Sequence, residues 1–205
     1  MIYNKEFIWL HFPKAAGTKV EQIFERYYSS DSSIHQDDIK QLRPDGTAPW
    51  HDSIKERESY DPSFKSENKT IIICIRKLKG WLKSRYNFEY KRSSYLEHNP
   101  ENLLRGKFYE ATGYLNEADQ YIRNFMPAEL FQSNNVVFIR MENFEEDFRK
   151  IFGNFIDVSK VPSSEFKKKS NSSVNYLSND FLIELEEADL SSFCPKWYAL
   201  EKKIY

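Results

Sequence analysis

The stretch that decides the fold is Phe7-Ile-Trp-Leu-His-Phe-Pro-Lys-Ala-Ala-Gly-Thr-Lys-Val20. Its apolar run ends at Pro13, a short loop follows, and a helical pattern begins at once. A strand that leads through a small-residue loop into a helix forms an anion site, because the first helical N–H groups point at the ligand and the helix dipole favours negative charge. Lys14 adds a positive charge and Thr18 a hydroxyl donor. The sequence therefore predicts that this loop binds a phosphate or a chemical relative of one.

The order of these residues differs from that of a Walker A loop, which reads G-x-x-x-x-G-K-[ST]. Lys14 precedes Gly17 by three residues, and Phe12 stands where the pattern needs its first glycine. Taken alone, the loop is also open to interpretation as an ordinary strand, turn and helix without a ligand.

A second segment has the same strand-to-helix character. Thr70–Ile75 is a short apolar, β-branched run, which is typical of a buried strand in a parallel sheet. Arg76 follows it directly, and Ser84 lies eight residues further on, away from the apolar stripe of the next helix. That stripe consists of Leu78, Leu82 and Tyr86. The planar guanidinium of arginine binds phosphate oxygens in pairs, so Arg76 is a candidate for a second phosphate contact.

Together, the two segments resemble sulfotransferases that use 3′-phosphoadenosine 5′-phosphosulfate (PAPS). The P-K-x-x-G-T pattern at 13–18 is similar to that family's phosphosulfate-binding loop, P-K-T-G-G-T, with Ala15 and Ala16 replacing its Thr and Gly. The Arg76–Ser84 spacing is similar to its 3′-phosphate site, although the family's Asp-Pro after the Arg is replaced by Lys77-Leu78. The segment around 135–153, with Glu142 after the strand's Arg, resembles the family's late strand and helix.

The resemblance implies PAPS as co-substrate, adenosine 3′,5′-bisphosphate as product, and no required metal. It implies a small-molecule or glycan acceptor, with a carbohydrate or glycoconjugate favoured. Lys14 is then the cation beside the departing phosphate oxygen. The cofactor-binding residues that it implies are Lys14, Ala15, Ala16, Gly17, Thr18, Lys19, Arg76 and Ser84.

The catalytic base that we predict is His51, which lies between the two cofactor segments, where several carbohydrate sulfotransferases place a catalytic or substrate-contacting His. An exposed loop histidine without a role is an equally open interpretation. Carboxylates that could replace it as the base are Asp52, Glu56 and Glu58. We expect His11 to be a strand-end packing residue.

Strands alternate with helices along the chain, which favours an α/β fold. We expect a three-layer, P-loop-like fold with a mostly parallel central sheet flanked by helices. The predicted strands cover 6–12, 70–76 and 135–141. The predicted helices cover 17–28, 78–94, 107–126, 143–153 and 178–189. Asn143 and Glu146 are expected to form a capping box, and the basic loop Lys167–Ser173 is comparable to one that closes over the cofactor in sulfotransferases.

Composition sets the remaining expectations. The 205 residues have no linker-like break, which predicts a single domain over 1–205. With 30 Lys and Arg against 31 Asp and Glu, the net charge of −1 gives no indication of nucleic-acid binding. No apolar run is long enough for a membrane span, and the few residues before the first strand leave no room for a signal peptide. Cys74 and Cys194 imply no disulfide framework, so a cytoplasmic location is expected.

Two other functions remain open from the sequence. A P-loop kinase-like phosphotransferase would need Mg²⁺ and a Walker lysine, and the Walker order is missing. A catalytically inactive nucleotide-binding protein of the same fold is the other alternative. The Ala15-Ala16 and Lys77-Leu78 departures give that alternative some weight, while the sulfotransferase remains the leading hypothesis.

Overall fold

A computed structural model of the chain describes residues 1–94, 96–110, 112–126, 130, 135–168 and 174–205. The chain divides into two compact units. The first unit combines Met1–Ile75 with Ala128–Ser170, and the second combines Arg76–Pro127 with Asn171–Tyr205. The single domain over 1–205 stays a prediction. Within the described ranges, no helix has the length and apolar character that crossing a membrane requires.

The first unit contains a five-stranded open sheet flanked by helices, with strand order β3-β1-β2-β4-β7. The strands are β1 (Ile2–Tyr3), β2 (Phe7–Leu10), β3 (His35–Gln36), β4 (Thr70–Ile75) and β7 (Val136–Arg140). β2 pairs in parallel with β4, and β4 with β7, whereas β1 runs antiparallel to both of its neighbours. The sheet is therefore mixed, with its parallel half formed by the three strands that the sequence predicts.

The α-helices described in this unit each follow a loop or a turn. They are α1 (Gly17–Tyr27), α2 (Ile54–Tyr60), α5 (Phe144–Phe152) and α6 (Ser163–Lys167). Their shared core is aromatic. Phe24 of α1 lies 6.2 Å from Phe7 of β2 and 5.2 Å from Phe152 of α5 between ring centroids, and Phe148 lies 4.6 Å from Phe152. All four rings are buried, so this cluster anchors α1 and α5 to the end of β2.

The second unit is built on α3 (Leu78–Arg92) and a small antiparallel hairpin. The other elements are β5 (Lys107–Tyr109), β6 (Leu115–Glu117), α4 (Ala118–Phe125), α7 (Asn179–Glu187) and α8 (Pro195–Ile204). Trp81 of α3 lies at its core, with ring centroids 5.3 Å from Phe108, 5.5 Å from Tyr121 and 4.7 Å from Trp197. The predicted stripe of Leu78, Leu82 and Tyr86 is buried, which confirms the face that α3 turns inward.

Most predicted elements are confirmed within a few residues, including α1, α3, α5, α7 and the three parallel strands. The helix predicted over 107–126 is wrong in its first half. Only Ala118–Phe125 is helical, and the preceding residues form the β5–β6 hairpin, whose turn contains Gly113 at a φ of 85°. Ala118, Ile122 and Phe125 are buried as expected, but Leu115 on the hairpin is 42% exposed.

The capping box predicted for Asn143 and Glu146 is also wrong, because Asn143 makes no side-chain capping hydrogen bond. A capping box does occur at α2, where Ser53 and Glu56 exchange hydrogen bonds in a segment for which no helix was predicted. At α5, the first turn is instead tied to β7 by Asp147, which accepts hydrogen bonds from the backbone N–H and the guanidinium of Arg140.

This ion pair predicts a pH-dependent stability. The hydrogen-bonded Arg140 guanidinium holds the pKa of the Asp147 carboxyl below its usual value. Such a carboxyl stabilises the fold at pH values above its unfolded pKa, and the contribution is lost as pH falls through the lower folded pKa. We expect Asp147→Asn to lower the free energy of unfolding by about 1–3 kcal/mol at neutral pH. The deficit should shrink on acidification, as urea unfolding at a series of pH values would show.

The control is Glu146→Gln, which removes a charge from the same helical turn at an exposed position. It should change the free energy of unfolding by a few tenths of a kcal/mol. A deficit for Asp147→Asn that stays constant from neutral to acidic pH would contradict the role of the ion pair.

Candidate functional site

The loop between β2 and α1 has the backbone form of an anion cradle. Lys14 and Ala16 adopt left-handed conformations, with φ of 64° and 66°, and Ala15 between them does not. Such alternation turns successive N–H groups towards one side, an arrangement known to bind anions. Gly17 and Thr18 open α1, where helical N–H groups have no intrahelical acceptor. Lys14, Ala16 and Thr18 are partly exposed, so they form the accessible side of the loop.

The left-handed conformation of Ala16 is unusual for a residue that carries a side chain. An L-residue with a Cβ is strained there, whereas glycine adopts the conformation at little cost. Ala16 stands at the position of a glycine in P-K-T-G-G-T. The loop therefore keeps a backbone that suits glycine while it carries alanine.

Gly17 is required by a close approach of the His11 ring. A Cβ built on Gly17 would lie 1.6 Å from His11 Nε2, which no side chain can tolerate. His11 follows β2 directly, is 8% exposed, and places its Nδ1 2.7 Å from Oε1 of Glu21 on α1. Its ring stacks on Trp9 at 5.3 Å between centroids. It is thus a packing residue, as expected, and also part of a histidine–carboxylate pair that the sequence analysis missed.

His51 lies beside this pair. It ends a 3₁₀ turn, Pro49–His51, and its ring meets the ring of His11 edge-on with centroids 4.5 Å apart. The structure therefore brings the predicted base next to His11, which itself abuts Gly17 in the anion loop. His11 and His51, which are 40 positions apart in sequence, meet because the turn is held firmly at both ends.

Arginine side chains hold that turn. Arg57 donates from Nη2 to the Pro49 carbonyl at 2.8 Å and from Nε to Asp52 at 2.9 Å, and it also pairs with Asp37. Arg43 binds both oxygens of Asp52. Asp52 is 5% exposed and Arg57 7% exposed, so these are buried, charge-assisted contacts. They fix Pro49, which precedes Trp50, and Asp52, which follows His51.

The carboxylates that could have replaced His51 as the base have structural partners. Asp52 binds two arginines as described. Glu56 completes the α2 capping box with Ser53, and Glu58 accepts a hydrogen bond from the Ser66 hydroxyl at 2.6 Å. Each of these three acidic residues thus has a hydrogen-bond partner that serves the local structure.

Lys19 directs its ammonium group away from the loop. Its Nζ donates to the carbonyl oxygens of Glu165 at 2.7 Å and Lys168 at 2.5 Å, where α6 ends. The side chain is buried, and this burial lowers the pKa of Lys19. A cation at the C-terminal carbonyls of a helix is a stabilising arrangement. Of the predicted loop residues, Lys19 is thus the one whose side chain serves the packing of α1 against α6.

The two predicted 3′-phosphate residues lie in the second unit. Arg76 lies two residues before the start of α3. Its Nε would lie 3.1 Å from a Cβ on Gly80, so the side chain runs along the first turn of the helix. Ser84 follows Gly80 by four residues, which places it on the same helix face one turn further on. Gly80 makes room for Arg76, a role that the sequence analysis did not notice.

Lys77-Leu78, which stands where the sulfotransferase pattern has Asp-Pro, lies at the start of α3. Lys77 makes no side-chain capping hydrogen bond, but the Leu78 N–H donates to a carboxylate oxygen of Glu201 on α8. A carboxylate from the C-terminal helix therefore does what an acidic residue at the cap of α3 would do. No local sequence signal marks this contact, because the partners are 123 residues apart.

Residues 169–173 of the predicted basic loop lie outside the described residues. The segment that follows it is anchored on α3. The Asn87 side chain accepts a hydrogen bond from the Tyr176 N–H at 2.9 Å and donates to Asn175 at 3.2 Å, and Tyr176 stacks on Tyr90 with centroids 4.7 Å apart. Asn175 and Tyr176 thus contact the helix that carries Ser84.

Comparisons with known proteins return no match to this chain, whether family models, curated proteins or solved structures are searched. Among the described residues, no cluster of three or more His, Cys, Asp or Glu side chains is arranged to hold a metal ion. Cys74 and Cys194 are free and buried, and this burial raises the pKa of each thiol to about 12.

The loop geometry predicts an unusual response to glycine substitution. Ala16→Gly should raise the free energy of unfolding by about 1 kcal/mol, because it relieves the left-handed strain. Ala15→Gly is the matched control. Ala15 is fully buried at an ordinary φ, so losing its methyl group should cost about 1 kcal/mol. Urea unfolding measures both, and a loss of stability in both variants would contradict the described loop.

Proposed function

We propose that this chain is a sulfotransferase that moves a sulfuryl group from PAPS to a hydroxyl group of an acceptor. The observation that carries the proposal is the P-K-x-x-G-T loop, folded as an anion cradle at the N-terminus of α1, with His51 held beside it through His11. The loop suits the phosphosulfate end of the cofactor, since backbone donors, the helix dipole and Lys14 all favour an anion.

The strand order supports the same proposal. The loop follows β2 and Arg76 follows β4, and these two strands are adjacent and parallel. Ligands of α/β sheets bind outside the carboxyl ends of parallel strands, where both segments begin. We further propose that the sheet belongs to a three-layer, P-loop-like fold in which β2, β4 and β7 form the parallel centre.

Sulfuryl transfer then needs two contributions from this site. The acceptor oxygen attacks sulfur while the bond from sulfur to the bridging phosphate oxygen breaks, and adenosine 3′,5′-bisphosphate leaves. Lys14 stabilises the charge that develops on the departing oxygen, and His51 takes the proton of the acceptor hydroxyl. By analogy with phosphoryl transfer, positioning and charge stabilisation supply most of the acceleration, and no metal ion is required.

The acceptor class rests on the resemblance alone, and we propose a carbohydrate or glycoconjugate. Aromatic side chains that lie between the two cofactor segments in the sequence are candidates for stacking on a sugar ring. Trp50, next to His51, is partly exposed and suits that role, whereas Phe64 is buried and Tyr60 lies under the Arg43 guanidinium at 3.9 Å. A cytoplasmic location is part of the same proposal.

The first test concerns Arg76. If it binds the 3′-phosphate in two-oxygen fashion, Arg76→Ala should weaken adenosine 3′,5′-bisphosphate binding by about 10–100-fold. Binding of adenosine 5′-monophosphate should change several-fold less, because that nucleotide lacks the contacted group. Arg76→Lys should restore only part of the affinity. Calorimetry with both nucleotides measures this, and equal losses for the two would place the 3′-phosphate elsewhere.

The second test concerns turnover. Lys14→Ala should lower kcat by about 10²–10³, with a smaller loss of cofactor affinity since the backbone donors remain. His51→Ala should lower kcat by about 10²–10⁴ and remove the rise of rate with pH that follows deprotonation of the imidazole. His51→Gln should not restore turnover, because an amide cannot accept the proton.

Turnover of PAPS with a panel of acceptors separates this function from its two alternatives. A catalytically inactive nucleotide-binding protein would bind the bisphosphate and turn over none of the panel. A kinase-like enzyme would bind ATP with Mg²⁺ in preference to the bisphosphate. Normal kcat in Lys14→Ala or His51→Ala at saturating cofactor would refute the assigned roles.

A further inference from the structure

A stack of three tyrosines in the second unit runs from its core to its surface. Tyr86 and Tyr90 of α3 lie 5.8 Å apart between ring centroids, and Tyr90 lies 4.7 Å from Tyr176. Tyr86 is buried, Tyr90 is half-buried and Tyr176 is 39% exposed. Within the described ranges, the hydroxyl groups of Tyr90 and Tyr176 make no hydrogen bond. The stack therefore ends in an aromatic ring and polar groups that are open to a ligand.

The exposed end of this stack is held in place by a buried amide. Asn87 of α3 is 3% exposed, accepts a hydrogen bond from the Tyr176 N–H at 2.9 Å and donates one to Asn175 at 3.2 Å. Asn175 in turn donates to the Leu177 carbonyl at 2.8 Å. These contacts fix the backbone that carries Tyr176. A ligand would thus meet a ring that is already in position, which lowers the entropic cost of binding.

Two lysines flank Asn87 on the same row of α3. Lys83 precedes it and Lys91 follows it by four residues, which is one helical turn in each direction. In the part of the chain that the structure describes, neither lysine forms an ion pair. Glu89, the only acidic residue of α3, is buried and lies 2.9 Å from Arg85. The accessible side of this helix therefore carries positive charge on both sides of the residue that holds Tyr176.

Other cations of α3 have structural partners. Lys79 donates to the Glu186 carbonyl on α7, and the buried Arg85 contacts Glu110 on β5 as well as Glu89. Lys83 and Lys91 differ from these two residues because the packing of the unit makes no use of their charges. They lie instead where an anion could reach them together with the tyrosine stack.

We propose that Lys83, Tyr90, Lys91 and Tyr176 bind an acidic sugar of the acceptor, namely a pyranose ring that carries a carboxylate or a sulfate ester. The C–H groups of the sugar pack on the Tyr176 ring, because the face of an aromatic ring is apolar and partly negative. The tyrosine hydroxyls bond sugar hydroxyls, and the ammonium groups bind the anionic group. A neutral sugar would leave the lysines unused, and an anion without a sugar ring would leave the tyrosines unused.

This inference deepens the proposed function, on which it rests only for the statement that the bound sugar is the sulfuryl acceptor. Binding of the sugar itself needs neither PAPS nor turnover, and the residues that perform it all belong to the second unit. It adds a charge to the acceptor, which the sequence resemblance leaves open.

Calorimetry with three tetrasaccharides tests the proposal on the wild-type protein, with and without adenosine 3′,5′-bisphosphate. Hyaluronan tetrasaccharide carries carboxylates, a chondroitin sulfate tetrasaccharide carries sulfate esters as well, and chitotetraose is neutral with the same number of rings. We expect an acidic tetrasaccharide to bind about tenfold or more tightly than chitotetraose, because only the acidic sugars pair with the lysines. That affinity should fall as salt is added. The tighter of the two acidic ligands identifies the preferred anionic group.

Variants of the surface separate its two components. Lys83→Gln with Lys91→Gln should weaken binding of the acidic tetrasaccharide by about tenfold and remove most of its salt dependence. Tyr176→Ser should also weaken binding by about tenfold but leave the salt dependence in place.

Matched controls remove the same chemistry elsewhere in the second unit. Lys196→Gln with Lys202→Gln removes two exposed lysines from α8, and Tyr114→Ser removes a tyrosine that is 75% exposed on the hairpin. Both controls should bind the acidic tetrasaccharide as the wild-type protein does.

Equal binding of chitotetraose and the acidic tetrasaccharides, or no binding of either acidic one, would overturn the inference even if every variant folded poorly. Wild-type affinity in Tyr176→Ser, together with displacement of the sugar by inorganic tripolyphosphate, would also overturn it, because the surface would then bind any polyanion. Binding of an acidic tetrasaccharide without binding of the bisphosphate would refute the proposed function alone. Bisphosphate binding and turnover of a neutral acceptor, without binding of an acidic sugar, would refute this inference alone.

Discussion

The contact between the His11 ring and the backbone of Gly17 is the constraint on which the first unit depends. It joins the end of β2 to the start of α1 so tightly that only glycine fits at the contact. The chain must therefore turn within the few residues between them, and it does so by placing Lys14 and Ala16 in left-handed conformations. The same turn directs the N-terminus of α1, and hence its dipole, to the carboxyl end of the sheet. The backbone form of the loop is thus a consequence of how closely the strand and the helix are packed.

Buried charged groups of this unit are paired with other charged groups or with backbone carbonyls. A group that is already paired in this way is not available for chemistry. Asp52 and Arg57 fix the turn that carries His51, Asp147 ties α5 to β7, and Lys19 closes the end of α6. Burial favours such pairing because an isolated charge in the interior is costly. Acidic residues near His51 are therefore structural, and a lysine from the motif is as well. Proximity in sequence to a motif does not by itself make a charged residue part of the site.

Local patterns in the sequence were sufficient to predict the strands β2, β4 and β7 and the helices that follow them. In these elements, the apolar positions of the sequence are largely the buried positions of the structure. They were insufficient where the chain uses distant partners. The hairpin at 107–117 shows an apolar spacing that also fits a helix, and the antiparallel pairing and the Gly113 turn decide against it. The site was predicted in part. The loop follows from local residues, whereas the roles of Glu21, Gly80 and Glu201 come from contacts that no short motif encodes.

The departures from the sulfotransferase pattern are better understood as changes of residue type than as losses of geometry. Ala16 keeps the left-handed backbone of a glycine position and bears the strain. At Lys77-Leu78, the carboxylate that the motif would place at the cap of α3 comes instead from Glu201 on α8. At Ala16 the loop keeps the backbone form of an anion cradle, whereas at α3 the Leu78 N–H donates to Glu201. A sequence comparison registers the changed letters, whereas binding depends on the orientation of N–H groups. The absence of matching proteins is therefore compatible with a loop whose backbone has the form of an anion cradle.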